Sequence, residues 1–358
     1  MIVGACGFGS TGSSVVTDFL GEFGTFFIKD DLEFSWVSSV DGLLDLEQAV
    51  MRPHGRTVQS IVAIERFRRA AARKARMFAR HGHSAAAFLA DADRFIDAIT
   101  MSKWPWYDPL ESPRWVYKSR YFLQALMKRK IIPRLELRLG RHATCWPLTE
   151  VRFSAHPANF YAEAKKLVMS TLSAMTGGAE DIALDQPFPG NNPQACFPYF
   201  DDPYAIVVDR DPRDNYVFAR TRMLGKFHYV PINRVEDYIA YYRGLRKDQP
   251  CLEDHPRVLR IRFEDMVYEY EKTSAKVREF LKLPENPAPK SIFDPALSVA
   301  NTQVFRRFPQ FADDVAKIER ELPEYLFEYS KYPPPDPGKK MFYGKSPKHA
   351  AFKKEYSE

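Results

Sequence analysis

The sequence lacks any apolar run long enough to cross a membrane. A membrane-spanning helix needs about 20 consecutive apolar residues, and no stretch of the 358-residue chain approaches that length. The chain also opens with a short, strand-like apolar segment where a signal peptide would have a charged region followed by an apolar one. These absences lead us to expect a cytoplasmic protein without a membrane span.

Cysteine is scarce, and the cysteines that are present lie far apart. The chain has four of them, with no CxxC pair. They are Cys6, Cys145, Cys196 and Cys251. This spacing argues against a zinc site and against a disulfide scaffold, and the histidines show no metal-ligand spacing. We therefore expect reduced thiols and no bound metal.

Overall composition excludes little else, but the charge is unevenly distributed. Hydrophobic residues make up 45% of the chain and charged residues 27%, which is ordinary for a globular protein. Although the net charge is only +6, nine Lys and Arg residues between positions 52 and 80 are accompanied by a single acid, Glu65. Such a block suits a polyanionic partner, and it equally suits a helix face exposed to water.

Short apolar runs alternate with amphipathic segments along the chain. The runs that predict strands are 1–6, 25–29, 182–184, 204–208 and 258–263. Helical patterns follow several of them, at 13–23, around 277–281 and at 315–322. The alternation predicts an α/β fold with a mostly parallel sheet covered on both faces, with ligands bound at the carboxyl ends of the strands.

Two further regions stand apart from this alternation. Residues from about 52 to 150 are rich in Ala and Arg and predict a largely helical insertion, which is a candidate acceptor-binding or lid region. It includes Trp104, Trp106 and Tyr107, whose aromatic faces suit sugar rings or, equally, a core. Residues 333–358 follow a proline run and predict a polar, basic C-terminal tail.

A glycine-rich loop joins the first strand to the first helix. Gly7-Phe8-Gly9-Ser10-Thr11-Gly12 is followed by Ser13 and Ser14. Such a loop exposes backbone N–H groups and the positive end of a helix dipole, which together bind phosphate or sulfate.

The same glycine pattern satisfies the dinucleotide fingerprint, with Asp30 and Asp31 about twenty residues further on. A Rossmann-type NAD(P)-dependent oxidoreductase is therefore an open alternative, whereas a Walker A kinase or ATPase is disfavoured because the Gly-Lys-Ser/Thr ending is absent.

Three segments of the chain together resemble one known family. They are the loop segment Ser10-Thr11-Gly12-Ser13-Ser14, the segment Val207-Val208-Asp209-Arg210-Asp211-Pro212-Arg213-Asp214, and the segment from Val258 to Asp265. In this order they resemble the 5'-phosphosulfate loop, the 3'-phosphate motif and the later strand and helix of the sulfotransferases that use 3'-phosphoadenosine 5'-phosphosulfate (PAPS). The resemblance covers about the first 35 residues and residues 182–330.

The resemblance implies a fold, a reaction and a donor site. The fold would be a three-layer P-loop NTPase-like α/β sheet, in a single domain over residues 1–332 that carries the helical insertion. The reaction would move a sulfuryl group from PAPS to a hydroxyl or amine, with a saccharide or another glycan-like molecule as the expected acceptor and no metal required. The implied donor-binding residues are Gly9, Ser10, Thr11, Gly12, Ser13, Ser14, Arg210, Arg306 and Arg307.

The resemblance also implies a carboxylate base that takes the acceptor proton. Relatives use either a histidine or a glutamate beyond the second strand, and Glu33 fits the second pattern, so it is the first candidate. Asp31, in the same acidic segment, is the second, and Asp185, at the end of the middle strand, is the third. Two departures from the family pattern stand out. Ser10 occupies a position where many relatives carry a basic residue, and Phe218 occupies a position where relatives often carry a serine.

Several questions about partners stay open at this point. A nucleotide-binding or polyanion-binding protein without enzymatic activity is a second alternative, favoured by the missing loop lysine. The basic block allows an anionic acceptor, while a small hydrophobic acceptor is compatible with the motifs as well. We expect no nucleic-acid partner, and a homo-oligomer is neither predicted nor excluded.

Overall fold

The protein is built from two compact units, which a computed structural model describes for most of the chain. The described residues are 1–53, 58–106, 149–222, 230–247 and 255–342, with the single residues 55, 110, 127, 134 and 138. The first unit contains Met1–Ser38 and Leu172–Glu358, and the second contains Ser39–Thr171. The predicted insertion lies within the second unit. Within the described residues, no helix is both long enough and apolar enough to span a membrane.

The strands and helices follow the predicted alternation. The strands are β1 (Ile2–Cys6), β2 (Phe27–Glu33), β3 (Ser102–Trp106), β4 (Thr149–Phe153), β5 (Ile182–Asp185), β6 (Pro203–Asp209) and β7 (Val258–Arg262). The α-helices are α1 (Ser14–Gly21), α2 (Leu43–Met51), α3 (Val58–Ala79), α4 (Ala85–Ile99), α5 (Phe160–Thr176), α6 (Pro212–Arg222), α7 (Val235–Arg246), α8 (Phe263–Tyr268), α9 (Tyr270–Leu281), α10 (Pro295–Ser298) and α11 (Ala312–Glu321). Short 3-10 helices lie at Pro193–Tyr199, Val299–Asn301, Val304–Arg307, Pro309–Phe311, Pro323–Tyr325 and Tyr329–Lys331.

The first unit is organised around a five-stranded sheet in the order β2-β5-β1-β6-β7. The four strand pairs in it are parallel. All five residues of the central strand β1 are buried, which explains its continuous apolar sequence. Side chains of the strands pack with α1, α8 and α9 in one core cluster, and α6, α7 and α11 form a second. The predicted α/β fold with a mostly parallel sheet is therefore confirmed.

The second strand is longer than the sequence predicted. The sequence predicts a strand at 25–29 that ends in an acidic turn, but β2 continues through the acids to Glu33. Lys29 pairs with Leu184 and the next paired residue is Glu33, opposite Asp185, so Asp30–Leu32 form a bulge. The prediction of a turn was wrong because β2 is an edge strand, and an edge strand accommodates extra residues without disturbing a neighbour on its other side.

The second unit contains helices and a small antiparallel sheet. Helices α3 and α4 lie in the predicted insertion, and the pairing of β3 with β4 was not predicted. Trp104 and Trp106 lie in β3, and the predicted Tyr107 lies outside the described residues. Several arginines of the basic block on α3 pair with acids: Arg66 with Asp41 at 2.6 Å, and Arg68 and Arg69 with Glu65.

The C-terminal segment 333–342, part of the predicted tail, packs on the first unit. The Gln303 side chain donates to the Pro333 carbonyl at 2.9 Å, and Arg307 donates to the Lys339 carbonyl at 2.8 Å. The Asn301 side chain bonds to both the N–H and the carbonyl of Phe342. This segment is therefore held by hydrogen bonds, and the remainder of the predicted tail, 343–358, lies outside the described residues.

Candidate functional site

A cavity of about 630 Å³ lies within the first unit, at the carboxyl ends of four strands. Its wall includes the glycine loop after β1, Glu33 at the end of β2, Asp185 at the end of β5 and Arg210 just after β6. Carboxyl ends of parallel strands meet at one edge of a sheet, which is where open α/β sheets bind ligands. The structure thus brings the glycine loop, Arg210 and two of the three candidate bases, Glu33 and Asp185, to one cavity.

The glycine loop adopts a conformation that only a few residue types tolerate. Gly9, Ser10 and Gly12 have φ angles of +83°, +55° and +86°. A Cβ atom at Gly12 would lie 2.7 Å from the ring of Phe263, so a side chain is excluded there by contact as well as by φ. Helical hydrogen bonding starts where the Val15 N–H donates to the Gly12 carbonyl at 3.1 Å. The N–H groups before that point belong to the helix N-terminus, which favours an anion.

Gln186, which follows β5 directly, holds the loop closed. Its side-chain oxygen accepts from the Gly7 N–H at 3.1 Å, and its side-chain nitrogen donates to the Ser13 hydroxyl at 2.7 Å. The Thr11 hydroxyl accepts from the Phe8 N–H at 3.3 Å. These bonds fix the loop without a ligand. Gly7, Thr11 and Ser13 therefore shape the loop, in addition to any contact they make with a bound anion.

Arg210 is almost completely buried in the cavity wall. Its side chain is 3% exposed and lies between the rings of Phe218 and Phe263, at 4.6 and 5.0 Å from the ring centroids. One terminal nitrogen donates to the Ser10 carbonyl at 3.1 Å, and the other donates to the Asn301 carbonyl. Among the described residues, Nε has no hydrogen-bond partner. Phe218, at the position where the resemblance predicts a serine, contacts the guanidinium face.

A group of buried acids lies beside Arg210 and orients the start of α6. Asp211 accepts from the N–H of Arg213 at 2.8 Å and pairs with its side chain at 2.7 Å, as the Asp-Pro sequence predicts for a helix start. Burial and the charge of Asp211 raise the pKa of Glu264 to about 8 and that of Asp214 to about 6. Asp214 also accepts from the Tyr329 hydroxyl at 2.6 Å.

The predicted catalytic acids are not equally well placed. Glu33 and Asp185 line the cavity at paired positions of β2 and β5. Asp31 is exposed and forms an ion pair with Lys29 at 3.1 Å, outside the cavity wall. Asp30 and Asp18 line the cavity and are buried, at 8% and 3% exposure. The sequence analysis did not rank Asp30 among the three candidate bases, and it missed Asp18. An aspartate among the apolar residues of α1 was a signal that could have identified Asp18.

The basic pair Arg306 and Arg307 lies away from the cavity wall. Arg306 is exposed, and Arg307 donates to the carbonyls of Asp336 and Lys339. The structure therefore does not bring these two predicted phosphate ligands to the glycine loop. Phe342 and Asn301 line the cavity in this region instead, and sequence reasoning proposed neither.

The described site combines N–H donors that suit an anion with carboxylates at the same edge of the sheet. Among the residues that the structure describes, no three His, Cys, Asp or Glu side chains are arranged to hold a metal ion. The helix N-terminus and Arg210 offer N–H donors for anionic groups, and Glu33 and Asp185 are proton acceptors at the same edge of the sheet.

Comparison with known proteins gives no family assignment. No family model, no curated protein and no solved structure matches the chain. The functional argument therefore depends on the geometry of the cavity and on the chemistry of the residues that line it.

Proposed function

We propose that this protein is a sulfotransferase that binds PAPS in the cavity and transfers its sulfuryl group to a hydroxyl or amine of an acceptor. The observation that carries the proposal is the hydrogen bond from Arg210 to the Ser10 carbonyl, at 3.1 Å. This bond joins two motifs that lie 200 residues apart in the sequence. The cavity volume of about 630 Å³ also falls in the range of small-molecule sites.

The donor fits the site through its two anionic ends. The N-terminus of α1 and the loop from Gly9 to Ser14 suit the 5'-phosphosulfate. A guanidinium has five N–H donors, and the structure shows Arg210 using two of them on backbone carbonyls. The remaining donors, Nε–H included, suit the 3'-phosphate, because a guanidinium matches phosphate oxygens with charge-assisted bonds.

The transfer step needs alignment and a base. The acceptor oxygen or nitrogen forms a bond to sulfur while the bond from sulfur to the 5'-phosphate oxygen breaks, and 3',5'-ADP leaves with that electron pair. The acceptor proton passes to a carboxylate. Glu33 suits this role because it lines the cavity and is open to solvent, and Asp185 is its partner across the strand pair.

The strand order favours this proposal over a Rossmann-type oxidoreductase. In the usual Rossmann order the second strand lies beside the first, so an acid at its end reaches the ribose of a dinucleotide held by the first loop. Here β5 lies between β1 and β2. Asp30 and Asp31 therefore lie in a strand that is not the neighbour of β1, the strand that carries the glycine loop. The finer assignment, a three-layer P-loop NTPase-like sheet, is part of the proposal.

Nucleotide binding tests the donor half of the proposal. We expect 3',5'-ADP to raise the melting temperature far more than 5'-AMP or NAD does, because only 3',5'-ADP carries the 3'-phosphate that Arg210 would bind. Arg210→Lys should weaken 3',5'-ADP binding at least tenfold and leave 5'-AMP binding unchanged, since lysine cannot make the paired bonds. Equal melting shifts with 3',5'-ADP and 5'-AMP would rule out the 3'-phosphate site.

A matched control separates binding from folding in this experiment. Arg213 is also buried, but it pairs with Asp211 and Glu319 and does not line the cavity. Arg213→Lys should therefore lower stability while the preference for 3',5'-ADP over 5'-AMP stays the same. If Arg213→Lys abolishes this preference as Arg210→Lys does, the effect of Arg210 is structural.

Turnover tests the catalytic half of the proposal. Glu33→Gln keeps the shape of the side chain but cannot accept a proton, so kcat for sulfuryl transfer should fall by about 10²- to 10⁴-fold. Affinity for 3',5'-ADP should persist. Asp31→Asn is the matched control, because Asp31 lies outside the cavity wall and pairs with Lys29. Full activity in Glu33→Gln would show that Glu33 is not the base. Asp185 would then be the leading candidate, and Asp185→Asn would be tested in the same way.

A further inference from the structure

The C-terminal segment 333–342 contributes a residue to the wall of the cavity. Phe342, the last residue of this segment, lines the cavity together with Asn301 and Arg210. The segment follows residue 330, where the resemblance to the sulfotransferases ends, and the proposed donor contacts do not include it. The role of Phe342 therefore depends on its own contacts and exposure.

Phe342 differs from the other phenylalanines of the wall in its exposure. The other five that the structure describes there are at most 8% exposed, whereas Phe342 is half-buried. Two of those five, Phe218 and Phe263, already pack on the guanidinium of Arg210. Phe342 therefore has ring surface left for a ligand, and an aromatic ring suits the planar face of a nucleobase.

Asn301 joins Phe342 to the anion-binding end of the cavity. Its backbone carbonyl accepts from Arg210. Its side-chain nitrogen donates to the Phe342 carbonyl at 2.9 Å, and its side-chain oxygen accepts from the Phe342 N–H at 3.1 Å. The 3'-phosphate of a nucleotide is attached to the ribose that carries the base, so a phosphate bound at Arg210 brings the nucleoside to this part of the wall.

The segment that carries Phe342 is held by few contacts. None of residues 333–342 belongs to a helix or a strand, and most of them are exposed. Besides the bonds to Asn301, the side chains of Gln303 and Arg307 hold three of its backbone carbonyls. Segments with few buried contacts open locally at a small cost in free energy. A ligand that contacts Phe342 only while the segment is docked therefore shifts the segment towards the docked state.

We infer that Phe342 is part of the donor site: its ring packs on the nucleoside of the bound nucleotide, and Asn301 couples this contact to the phosphate at Arg210. The inference rests on the proposed function and adds to it a binding residue from the C-terminal segment. Coupling of this kind is reciprocal. Bound nucleotide therefore stabilises the docked segment by as much as the docked segment favours nucleotide binding.

Hydrogen exchange of the full chain, with and without saturating 3',5'-ADP, tests the docking of the segment. The Phe342 amide donates to the Asn301 side chain, so we expect it to exchange about tenfold more slowly when nucleotide is bound. The Ala288 amide is the matched control. It donates to the side-chain oxygen of Asn286 at 2.9 Å and does not line the cavity, so its exchange rate should stay the same.

Removing the ring alone tests its contact with the nucleoside. Phe342→Ala leaves both backbone bonds to Asn301 in place, so calorimetric titration should show 3',5'-ADP binding about tenfold more weakly, as for a lost base–aromatic contact. Phe342→Tyr keeps the ring and should restore most of the affinity. Phe308→Ala is the matched control, because Phe308 is also half-buried in the first unit but does not line the cavity. It should lower stability and leave the affinity unchanged.

Asn301→Ala tests the coupling. This variant keeps the backbone carbonyl that accepts from Arg210 and loses both bonds to Phe342. We expect weaker 3',5'-ADP binding and no slowing of Phe342 exchange by nucleotide. Because Phe342 contributes only while Asn301 holds it, the double variant Asn301→Ala/Phe342→Ala should bind no more weakly than the weaker-binding single variant.

The results that contradict the inference differ from those that contradict the proposed function. Unchanged 3',5'-ADP affinity in Phe342→Ala, or equal Phe342 exchange with and without nucleotide, would overturn the inference and leave the donor site intact. Additive losses of affinity in the double variant would overturn the coupling through Asn301. Should Asn301→Ala not fold, the Phe342 variants and the exchange of the unaltered chain decide the matter. Absence of any stabilisation of the unaltered protein by 3',5'-ADP would overturn the proposed function and the inference with it.

Discussion

At the scale of single residues, the buried acids beside Arg210 make the first unit sensitive to pH. Burial, together with the charges of Asp211 and Asp214, raises the pKa of Glu264 to about 8 from an ordinary value of 4.5. A group whose pKa is raised by folding favours the folded state while it is protonated. The contribution of Glu264 to stability is therefore complete below pH 4.5 and is lost as the pH rises through about 8.

Glu264→Gln should remove this pH dependence. Glutamine retains an oxygen that can accept from the Asp211 N–H, as Glu264 does at 2.9 Å, but it does not ionise. We expect the unaltered protein to lose up to about 1.4 kcal/mol of unfolding free energy per pH unit relative to the variant as the pH rises towards 8. Urea unfolding at pH 5, 6, 7 and 8 measures this difference. Parallel stability curves for the two proteins would show that Glu264 does not titrate in this window.

Sequence reasoning found some residues of the site and missed others for a physical reason. Arg210 and Glu33 belong to local patterns, a strand followed by a charged turn, so their positions at the end of a strand were predictable. Phe342 is placed at the cavity by the segment 333–342, where its backbone N–H and carbonyl bond to the Asn301 side chain. Such a long-range contact leaves no periodic signal in the sequence.

At the scale of elements, the loop between β1 and α1 depends on glycine for two separable reasons. Gly12 has a φ of +86° and lies against the Phe263 ring, whereas Gly24 has a φ of +69° and no atom within 4 Å of the position that a Cβ would take. Gly24→Ala therefore serves as a control that introduces only the backbone strain, about 1–2 kcal/mol.

Gly12→Ala should cost clearly more than Gly24→Ala, because the new methyl group would lie 2.7 Å from a ring that also contacts Arg210. We further expect Gly12→Ala alone to lose 3',5'-ADP binding, since the loop must shift. Urea unfolding gives the stability loss and nucleotide titration gives the affinity. A similar loss of stability in both variants, with binding retained in both, would show that the loop tolerates a side chain at Gly12.

The elements themselves were largely predictable where their apolar pattern was strong. The strands β1, β5, β6 and β7 and the helices α1, α9 and α11 appear close to the predicted positions. The bulge in β2 and the pairing of β3 with β4 were not predicted. Both depend on a partner strand far away in the sequence, since Lys29 pairs with Leu184 and Ser102 with Phe153.

At the scale of the whole molecule, the first unit is assembled from both ends of the described chain. The central strand β1 pairs with β5 and β6, whose paired residues begin at Ile182 and Pro203. The second strand, β2, is joined to the sheet through β5 alone. The sheet therefore requires residues that are synthesised long after its first two strands, and such non-local pairing slows folding.

A shortened chain tests this assembly. In a fragment of residues 1–171, β1 and β2 lack every strand that they pair with, so we expect their amides to exchange freely with solvent. Amides of α2, α3 and α4 should remain protected, because these helices lie in the second unit. Hydrogen exchange, measured on the fragment and on the full chain, compares the protection of these amides. Protected β1 amides in the fragment would mean that the strand has another partner.

The bulge in β2 also affects how readily the edge of the sheet can pair with a strand of another molecule. An edge strand exposes a row of backbone groups with which a strand of another chain can pair, and this is a common start of aggregation. In β2 the regular pairing covers Phe27 to Lys29 and is then interrupted by Asp30–Leu32, with the charged Asp31 exposed. A strand added at this edge would lose its register beyond Lys29. A bulge and an exposed charge on an edge strand are features that disfavour pairing with a strand of another chain.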